Sequence, residues 1–397
     1  ERQAVGRFCT ASQTQSTTMI EDTLDQLQHI PLDVLTTIVR QDQRRSYLIV
    51  TDWTVQPLSD KGIINPGGLW SLNGHARDAL GTCAWSLVIK ILRRPQHQQS
   101  PSDPWYWKRE VDVVQSAFAS KLPGPIRTPR FYRVDEHADA IWLWMERVQP
   151  FSSEPWTSQD FRRTAHDLGQ WNGACLAHLG LPTEPWFARH HYLTVMKDST
   201  AEDWAFPLNQ KYLPPIIHTR HTQILAERER FSRALDGLPH TFGHLDAQYR
   251  NVLLCKGARG QRDVVLLDWA DCGIAPLGAE LNAFICTSSL VFGWPPAQVR
   301  ELDQIVFPSY LDGLAASGWN GDAWQVRLGY VGWVALYYGR IFPGFFRYWC
   351  RPDNRSFALQ QFGLAEEELY VQWLPFIEYV FECVDEAQEL IATTTPS

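Results

Sequence analysis

Several features that would point to other classes of protein are missing from this 397-residue sequence. Its eight cysteines are scattered, with no Cys-x-x-Cys pair and no cysteine–histidine spacing, so neither a zinc site nor a disulfide framework is predicted. No apolar run approaches the ~20 residues of a membrane-spanning helix, because residues 328–339 are closed by Arg327 and Arg340. Residues 9–18 are mostly Ser, Thr and Gln, unlike the apolar core of a signal peptide. We therefore expect no membrane partner and a reduced, cytoplasmic setting, with Met19 a candidate natural start.

Positive charge is also scarce. Lys and Arg together number 36 against 44 Asp and Glu, which gives a net charge of −8. Proteins that bind nucleic acids present basic faces, so nucleic acid is not expected as a partner. The hydrophobic content of 45% is that of a folded protein, and the length suits two domains or one bilobal enzyme. The sequence leaves the oligomeric state open.

Three polar residues stand between apolar runs in the segment 243–278. His244, Asp246 and Asn251 follow the order H-x-D-x-x-x-x-N, the spacing of a kinase catalytic loop. Asp268 comes seventeen residues after Asn251, directly behind the apolar run 264–267. An isolated Asp in a loop is usually a cap or turn residue, and the first spacing alone would occur by chance. Asp268 behind its apolar run is an independent match, because it follows the first motif in the order and at the distance found in kinases. The two matches together favour the functional interpretation.

The chemistry of phosphoryl transfer explains these residue types. One carboxylate must orient or deprotonate the attacking hydroxyl, and oxygen ligands must hold Mg²⁺ against the nucleotide phosphates. Magnesium keeps waters and phosphate oxygens around it, so one Asn and one Asp are enough protein ligands. The segment therefore predicts a phosphotransferase site.

The same segment resembles the aminoglycoside phosphotransferase family, also described as choline-kinase-like small-molecule kinases. Three positions depart from the family pattern: Leu245 replaces a Gly, Ala275 stands at a later Gly position, and Glu280 stands where the family mostly has Asp. None of them removes the presumed base or a presumed metal ligand. The residues that match are His244, Asp246, Asn251, Asp268, Trp269 and Leu281.

The resemblance implies roles for three of these residues. Asp246 would be the catalytic residue that orients or deprotonates the acceptor hydroxyl, while Asn251 and Asp268 would bind Mg²⁺. The other substrate would be a nucleoside triphosphate, ATP or GTP. His244 would support the loop by hydrogen bonding.

A lysine inside an apolar strand is the next candidate. Lys90 interrupts the run WSLVIKIL, where burial would cost desolvation unless the ammonium has a partner. The resemblance gives Lys90 the role of the nucleotide-binding lysine and Glu110, in Trp-Lys-Arg-Glu, the role of its partner on the following helix. A lysine at a strand end that points to solvent is the alternative.

The nucleotide base is expected at a hinge. The strand 138–148 ends in Met145-Glu146-Arg147-Val148, which resembles the hinge of the family, and backbone groups at Met145, Glu146 and Val148 would hold the base. The turn SDKGIINPGGLW lies where a kinase places its phosphate-covering loop, although an ordinary hairpin loop explains it as well.

The order of elements predicts an α+β fold: strands with one helix to about residue 148, then mostly helices. The helix in the first part is expected over 105–118, and later helices over 279–292, 296–316, 322–338 and 366–393. With the resemblance, this is a bilobal protein-kinase-like fold: an N-terminal extension (1–45), a nucleotide-binding lobe with an antiparallel sheet and one key helix (46–148), and a larger helical lobe (149–397). The expected activity is transfer of a γ-phosphoryl group to a small hydroxyl-bearing acceptor, such as a sugar, an amino alcohol or an antibiotic-like metabolite. A protein kinase and a catalytically silent nucleotide-binding protein stay open as alternatives.

Overall fold

The computed structural model describes residues 13–58, 68–116, 118–151, 155–194, 196–257, 260 and 262–394. Most of the predicted phosphate-covering loop, residues 59–67, lies outside these ranges. Among the described helices, none combines the length and the apolar character needed to cross a membrane.

In the described residues, two helices are followed by three strands, one helix and three more strands, and helices dominate the rest of the chain. The strands are β1 (Ile49–Pro57), β2 (Leu69–Asp78), β3 (Gly81–Arg93), β4 (Ile126–Arg127), β5 (Phe131–Glu136), β6 (Ala140–Glu146), β7 (Ala188–Arg189), β8 (His240–Gly243), β9 (Val252–Lys256), β10 (Arg262–Leu266) and β11 (Gly273–Pro276). The helices are α1 (Gln13–Gln28), α2 (Leu32–Gln43), α3 (Arg109–Gln115), α4 (Ser158–His178), α5 (His191–Thr194), α6 (Ala201–Trp204), α7 (Pro207–Tyr212), α8 (Pro215–Asp236), α9 (Ser288–Leu290), α10 (Val299–Ala316), α11 (Ala323–Cys350), α12 (Arg355–Phe362) and α13 (Glu366–Thr394).

The chain divides into two compact units, each described here as far as its residues are placed. The first comprises Glu1–Ser100, Glu110–Ser116 and Thr128–Gln149. The second comprises Pro101–Arg109, Ala117–Arg127 and Pro150–Ser397. The first unit therefore includes the N-terminal helices that the sequence interpretation set apart as an extension.

The first unit is built on an antiparallel sheet with the strand order β1-β2-β3-β6-β5. Because side chains alternate across a strand, Leu87 and Ile89 of β3 face the buried core that also contains Leu35 and Ile38 of α2. Lys90 projects from the opposite face of the sheet. The core fixes the register of β3, since a slip by one residue would bury Lys90 among apolar side chains.

The second unit is mostly helical, and small residues allow its helices to approach closely. A Cβ on Gly169 of α4 would lie 2.1 Å from the Tyr310 carbonyl oxygen of α10, and one on Gly313 would lie 2.0 Å from the His166 carbonyl oxygen. Only glycine fits at these two positions. Two small sheets, β4-β10-β9 and β7-β11-β8, lie in the same unit and flank the segment 244–251.

The structure confirms the predicted α+β class, with a smaller unit built on an antiparallel sheet and α3, and a larger, mostly helical unit. Some boundaries were predicted wrongly. The helical pattern over 105–118 yields only α3, and the helix expected over 279–292 is a π-helix at Asn282–Thr287 followed by α9. The helix expected to end near residue 338 continues as α11 to Cys350, with Pro343 in its interior.

Candidate active site

A hydrogen bond between side chains shapes the loop that follows β8. The Asn251 amide nitrogen donates to the Asp246 carboxylate oxygen Oδ2 at 2.7 Å and to the Asp246 carbonyl oxygen at 2.9 Å. These bonds fix the direction of the Asp246 carboxylate. Both use the Asn251 nitrogen, so the amide oxygen of Asn251 is not committed to them.

A buried carboxylate holds the backbone of this loop. Glu280 is only 2% exposed, and its two carboxylate oxygens accept hydrogen bonds from the backbone N–H groups of His244 (2.8 Å) and Leu245 (3.0 Å). Burial raises the pKa of Glu280 to about 7, although hydrogen bonds from backbone N–H groups, including that of Ala247, oppose the shift. The Glu that departs from the family pattern thus positions the loop.

Leu245 occupies backbone space that usually belongs to glycine. Its φ is +62°, in the left-handed region, where an L-residue with a side chain pays roughly 1–2 kcal/mol. The side chain of Leu245 is buried, and its N–H donates to Glu280. Packing and the hydrogen bond therefore support a conformation that the residue type disfavours.

Asp268 is joined to the loop through the residue before it. The Leu267 N–H donates to the Asn251 carbonyl oxygen at 2.8 Å, and the His244 ring nitrogen Nε2 donates to the Leu267 carbonyl oxygen at 2.9 Å. Asp268 itself has a φ of +60° and begins the turn Trp269–Asp271 without capping it. The three predicted residues Asp246, Asn251 and Asp268 are thereby brought to one end of the β9–β10 hairpin.

The donor set fits a hard divalent cation. An amide oxygen at Asn251 and a carboxylate at Asp268 are the oxygen ligands that Mg²⁺ accepts. No group of three or more His, Cys, Asp or Glu residues that could hold a metal is found within the described ranges. A metal bound here would take its remaining ligands from water and from phosphate oxygens.

In the first unit, Lys90 and Glu110 form an ion pair. The Lys90 ammonium lies 2.5 Å from the Glu110 carboxylate, with side-chain exposures of 9% and 3%. Two charges buried this deeply are tolerated because each compensates the other, and loss of either one leaves the partner unpaired. The pairing anchors α3 to β3.

The side chains of the predicted hinge residues Met145 and Glu146 project from opposite faces of the sheet. Met145 lies opposite Val88 in the β3–β6 ladder, on the same face as Lys90. The Glu146 side chain turns to the other face, where it accepts hydrogen bonds from the Arg130 backbone N–H (2.9 Å) and Nε (2.7 Å). The Glu146 N–H donates to the Arg130 carbonyl oxygen. Val148 lies beyond the end of β6.

The sequence interpretation missed a polar network on the Lys90 face of the sheet. The Arg147 guanidinium donates to the Ser71 hydroxyl at 2.5 Å, Asn73 donates to the same hydroxyl at 2.9 Å, and Ser86 donates to Asn73 at 2.7 Å. The signal was present as Ser and Asn two residues apart in β2, since residues at that spacing share a face. A cavity of about 660 Å³ beside Glu146 includes Arg147, Asn73 and Ser86 in its lining.

Comparison with known proteins adds likenesses of overall structure. No protein-family model matches the sequence, and no curated protein matches it. Among solved structures, a microcompartment-associated aminopropanol kinase is 13% identical, with 89% of this chain and 99% of that chain covered and a TM-score of 0.48. The amicoumacin kinase hAmiN, in complex with AMP-PNP, Ca²⁺ and Ami, is 14% identical, with 86% and 88% covered and a TM-score of 0.44.

A third similar structure is the aminoglycoside phosphotransferase APH(3'')-Id of Streptomyces rimosus, in complex with ADP and streptomycin. It is 17% identical, with 78% of this chain and 99% of that chain covered and a TM-score of 0.41.

Proposed function

We propose that this chain is a small-molecule kinase, which transfers the γ-phosphoryl group of ATP or GTP to a hydroxyl group of a small acceptor. The observation that carries the proposal is the loop 244–251, whose Asp246 carboxylate is aimed by Asn251 while its backbone is held on Glu280. Burial of a glutamate costs free energy, and so does a positive φ at a residue other than glycine. An ordinary turn requires neither of them.

Asp246 is the group proposed to act on the acceptor. Its carboxylate accepts the proton of the acceptor hydroxyl, or orients that hydroxyl, as the oxygen forms a bond to the γ-phosphorus and the nucleoside diphosphate leaves. Positioned general bases contribute roughly 10²–10⁴-fold. The hydrogen bond from Asn251 keeps the carboxylate in one orientation, so little reorganisation is needed.

The remaining residues are proposed to hold the nucleotide. Asn251 and Asp268 would bind Mg²⁺, which supplies positive charge to the phosphoryl oxygens when it is bound. Lys90, oriented by Glu110, would donate to the phosphates, and backbone groups at the hinge would hold the base. Met145, Glu146 and Val148 are the residues predicted to form this hinge.

The charges in residues 277–350 bear on the choice of acceptor, because most of them are committed to partners within the unit. Arg327 is paired with Asp303 and Glu386, each at 2.7 Å, and the side chain of Arg340 with Asp198. Such pairs leave few acidic groups to match the several ammonium groups of a polycation.

An aromatic residue lies among the acidic groups near the loop. Burial, followed by the nearby carboxylates of Asp271 and Asp246, raises the pKa of the Tyr337 phenol. A tyrosine ring suits a sugar or a single ammonium head. A neutral or singly charged hydroxyl compound is therefore the proposed acceptor class.

The test is an acceptor panel with Mg²⁺ and either ATP or GTP, assayed for nucleoside diphosphate release and for phosphorylated product. Asp268→Asn should abolish turnover, whereas Asp236→Asn, which changes an exposed aspartate of α8, should leave it intact. Unchanged turnover of Asp268→Asn at about millimolar Mg²⁺ would refute the metal assignment. Nucleotide binding without any transfer or hydrolysis would favour the catalytically silent alternative.

A further inference from the structure

The second unit contains a cavity of about 300 Å³ formed by α4, α10 and the start of β10. None of its lining residues belongs to the proposed active site, and Arg262 begins β10 whereas Asp268 follows its end. The cavity is lined by Arg162, Arg163, His166, Asp167, Arg262, Ser309 and Asp312.

The lining carries more positive than negative groups. The Asp167 carboxylate is already committed, at 2.6 Å from the Arg262 guanidinium and 3.7 Å from the His166 ring. Arg162 and Arg163 are exposed, and neither has an ion-pair or hydrogen-bond partner within the described part of the chain. Two guanidinium groups are thus available at the same cavity.

A buried donor at the cavity also lacks an acceptor. Arg262 uses Nη1 on Asp167 and Nη2 on the Thr164 hydroxyl, at 2.7 Å, while its Nε is buried without a hydrogen-bond partner among the described residues. The Nε has almost no surface open to solvent, so Arg262 contributes its positive charge to the cavity and not a hydrogen bond from this atom to a ligand.

A further base lies beside the cavity. Lys256 is directly opposite Arg262 in the β9–β10 ladder, so both side chains project from the same face of the hairpin. Like charges placed opposite each other are destabilising, and the Asp167 carboxylate offsets the charge of Arg262 in this pair.

We propose that this cavity binds a small phosphate-bearing anion, either inorganic phosphate or the phosphate group of a phosphomonoester. Guanidinium groups present paired N–H donors that match tetrahedral oxyanions. A volume of about 300 Å³ suits a small ligand. Asp312, an exposed carboxylate on the cavity wall, limits the charge of the ligand, because a strongly charged polyphosphate would be repelled. The inference does not depend on the proposed kinase activity.

The test is calorimetric titration of the full chain with inorganic phosphate and, separately, with glycerol 2-phosphate, in the absence of Mg²⁺ and nucleotide. Arg162→Ala and Arg163→Ala should each weaken binding about 10- to 100-fold, the loss expected for one charge-assisted hydrogen bond. Arg233→Ala, which removes an exposed arginine of α8, is the matched control and should bind as the wild type does. Tighter binding of one of the two probes identifies the source of the phosphate group.

Three results would overturn the proposal. The first is the absence of binding of either probe at about millimolar concentration, where weak specific sites are occupied. The second is equal binding by Arg163→Ala and the wild type. The third is binding that survives in Arg162→Ala and Arg163→Ala but is lost in Lys90→Ala, which would place the phosphate at the proposed nucleotide-binding residues.

Discussion

Replacement of Glu280 by glutamine should reduce the pH dependence of the stability of the loop 244–251. Burial raises the pKa of this carboxyl from 4.5 to about 7 in the folded chain. A folded-state pKa above the unfolded value means that the stability contribution is fully present below about pH 4.5 and is lost as the pH rises through 7. Glutamine has nearly the same shape but no titration, so the variant should lack this loss.

The two pKa values set the size of the effect. With 4.5 in the unfolded chain and about 7 in the folded chain, linkage predicts that the wild type loses about 2.5 kcal/mol between pH 5 and pH 8. The glutamine variant carries a separate cost that does not depend on pH. Both carboxylate oxygens accept N–H bonds, and the amide nitrogen cannot, so one buried N–H loses its acceptor at about 1–3 kcal/mol.

Amide hydrogen exchange measures the stability of this loop separately from that of the rest of the chain. A local measurement is needed because a chain of two compact units need not unfold in one step. The exchange free energy of the His244 and Leu245 amides should be compared between wild type and Glu280→Gln at several pH values. The difference between the two proteins should fall by about 2.5 kcal/mol from pH 5 to pH 8. Glu301→Gln, an exposed change on α10, is the control. A difference that stays constant with pH would refute the reasoning, because the N–H donors would then fully offset desolvation.

Three other substitutions test the site. Asp246→Ala should lower turnover roughly 10²–10⁴-fold while nucleotide binding, measured by calorimetry, persists; spared turnover with lost binding would mean that the base is misplaced. Lys90→Met should weaken nucleotide binding and cost about 3–5 kcal/mol in unfolding free energy, and adding Glu110→Gln should recover stability but not binding. Recovery of both would show that Lys90 has only a structural role. Gly243→Ala should cost about 1–3 kcal/mol, because its Cβ would lie 2.8 Å from the carboxylate oxygen that holds the loop; thermal unfolding unchanged from wild type would contradict this.

The order of the chemistry-bearing residues could be predicted because it is local. Asp246 and Asn251 are separated by one short loop, and the apolar run before Asp268 is a single strand, β10. Lys90 could be placed in a strand for the same reason, since the run around it is apolar and β-branched. What these patterns leave open is the direction of each side chain, and Glu146 turned to the face opposite Met145.

The predicted helix boundaries are wrong where contacts with residues elsewhere in the chain determine them. The Arg109 guanidinium donates to the carbonyl oxygens of Trp186 and Ala270, far along the chain, each at 2.6 Å. It also donates to the carbonyl oxygens of Asp103 and Pro104 in a segment of turns, and α3 begins only at Arg109. The helix expected over 279–292 is likewise altered by a contact from elsewhere, because the Ser288 hydroxyl accepts a hydrogen bond from the Tyr249 backbone N–H at 3.0 Å. No local pattern in the sequence contains either contact.

Two departures from the family pattern, treated as separate in the sequence, form one arrangement in the structure. Leu245 pays roughly 1–2 kcal/mol for its positive φ, a cost that glycine would avoid. Replacing a buried leucine by a smaller residue costs more, about 2–5 kcal/mol, so the side chain gains more from packing than the backbone loses. Glu280 adds a hydrogen bond to the N–H of that same residue. The buried glutamate therefore holds the strained backbone at Leu245, in the loop that carries Asp246.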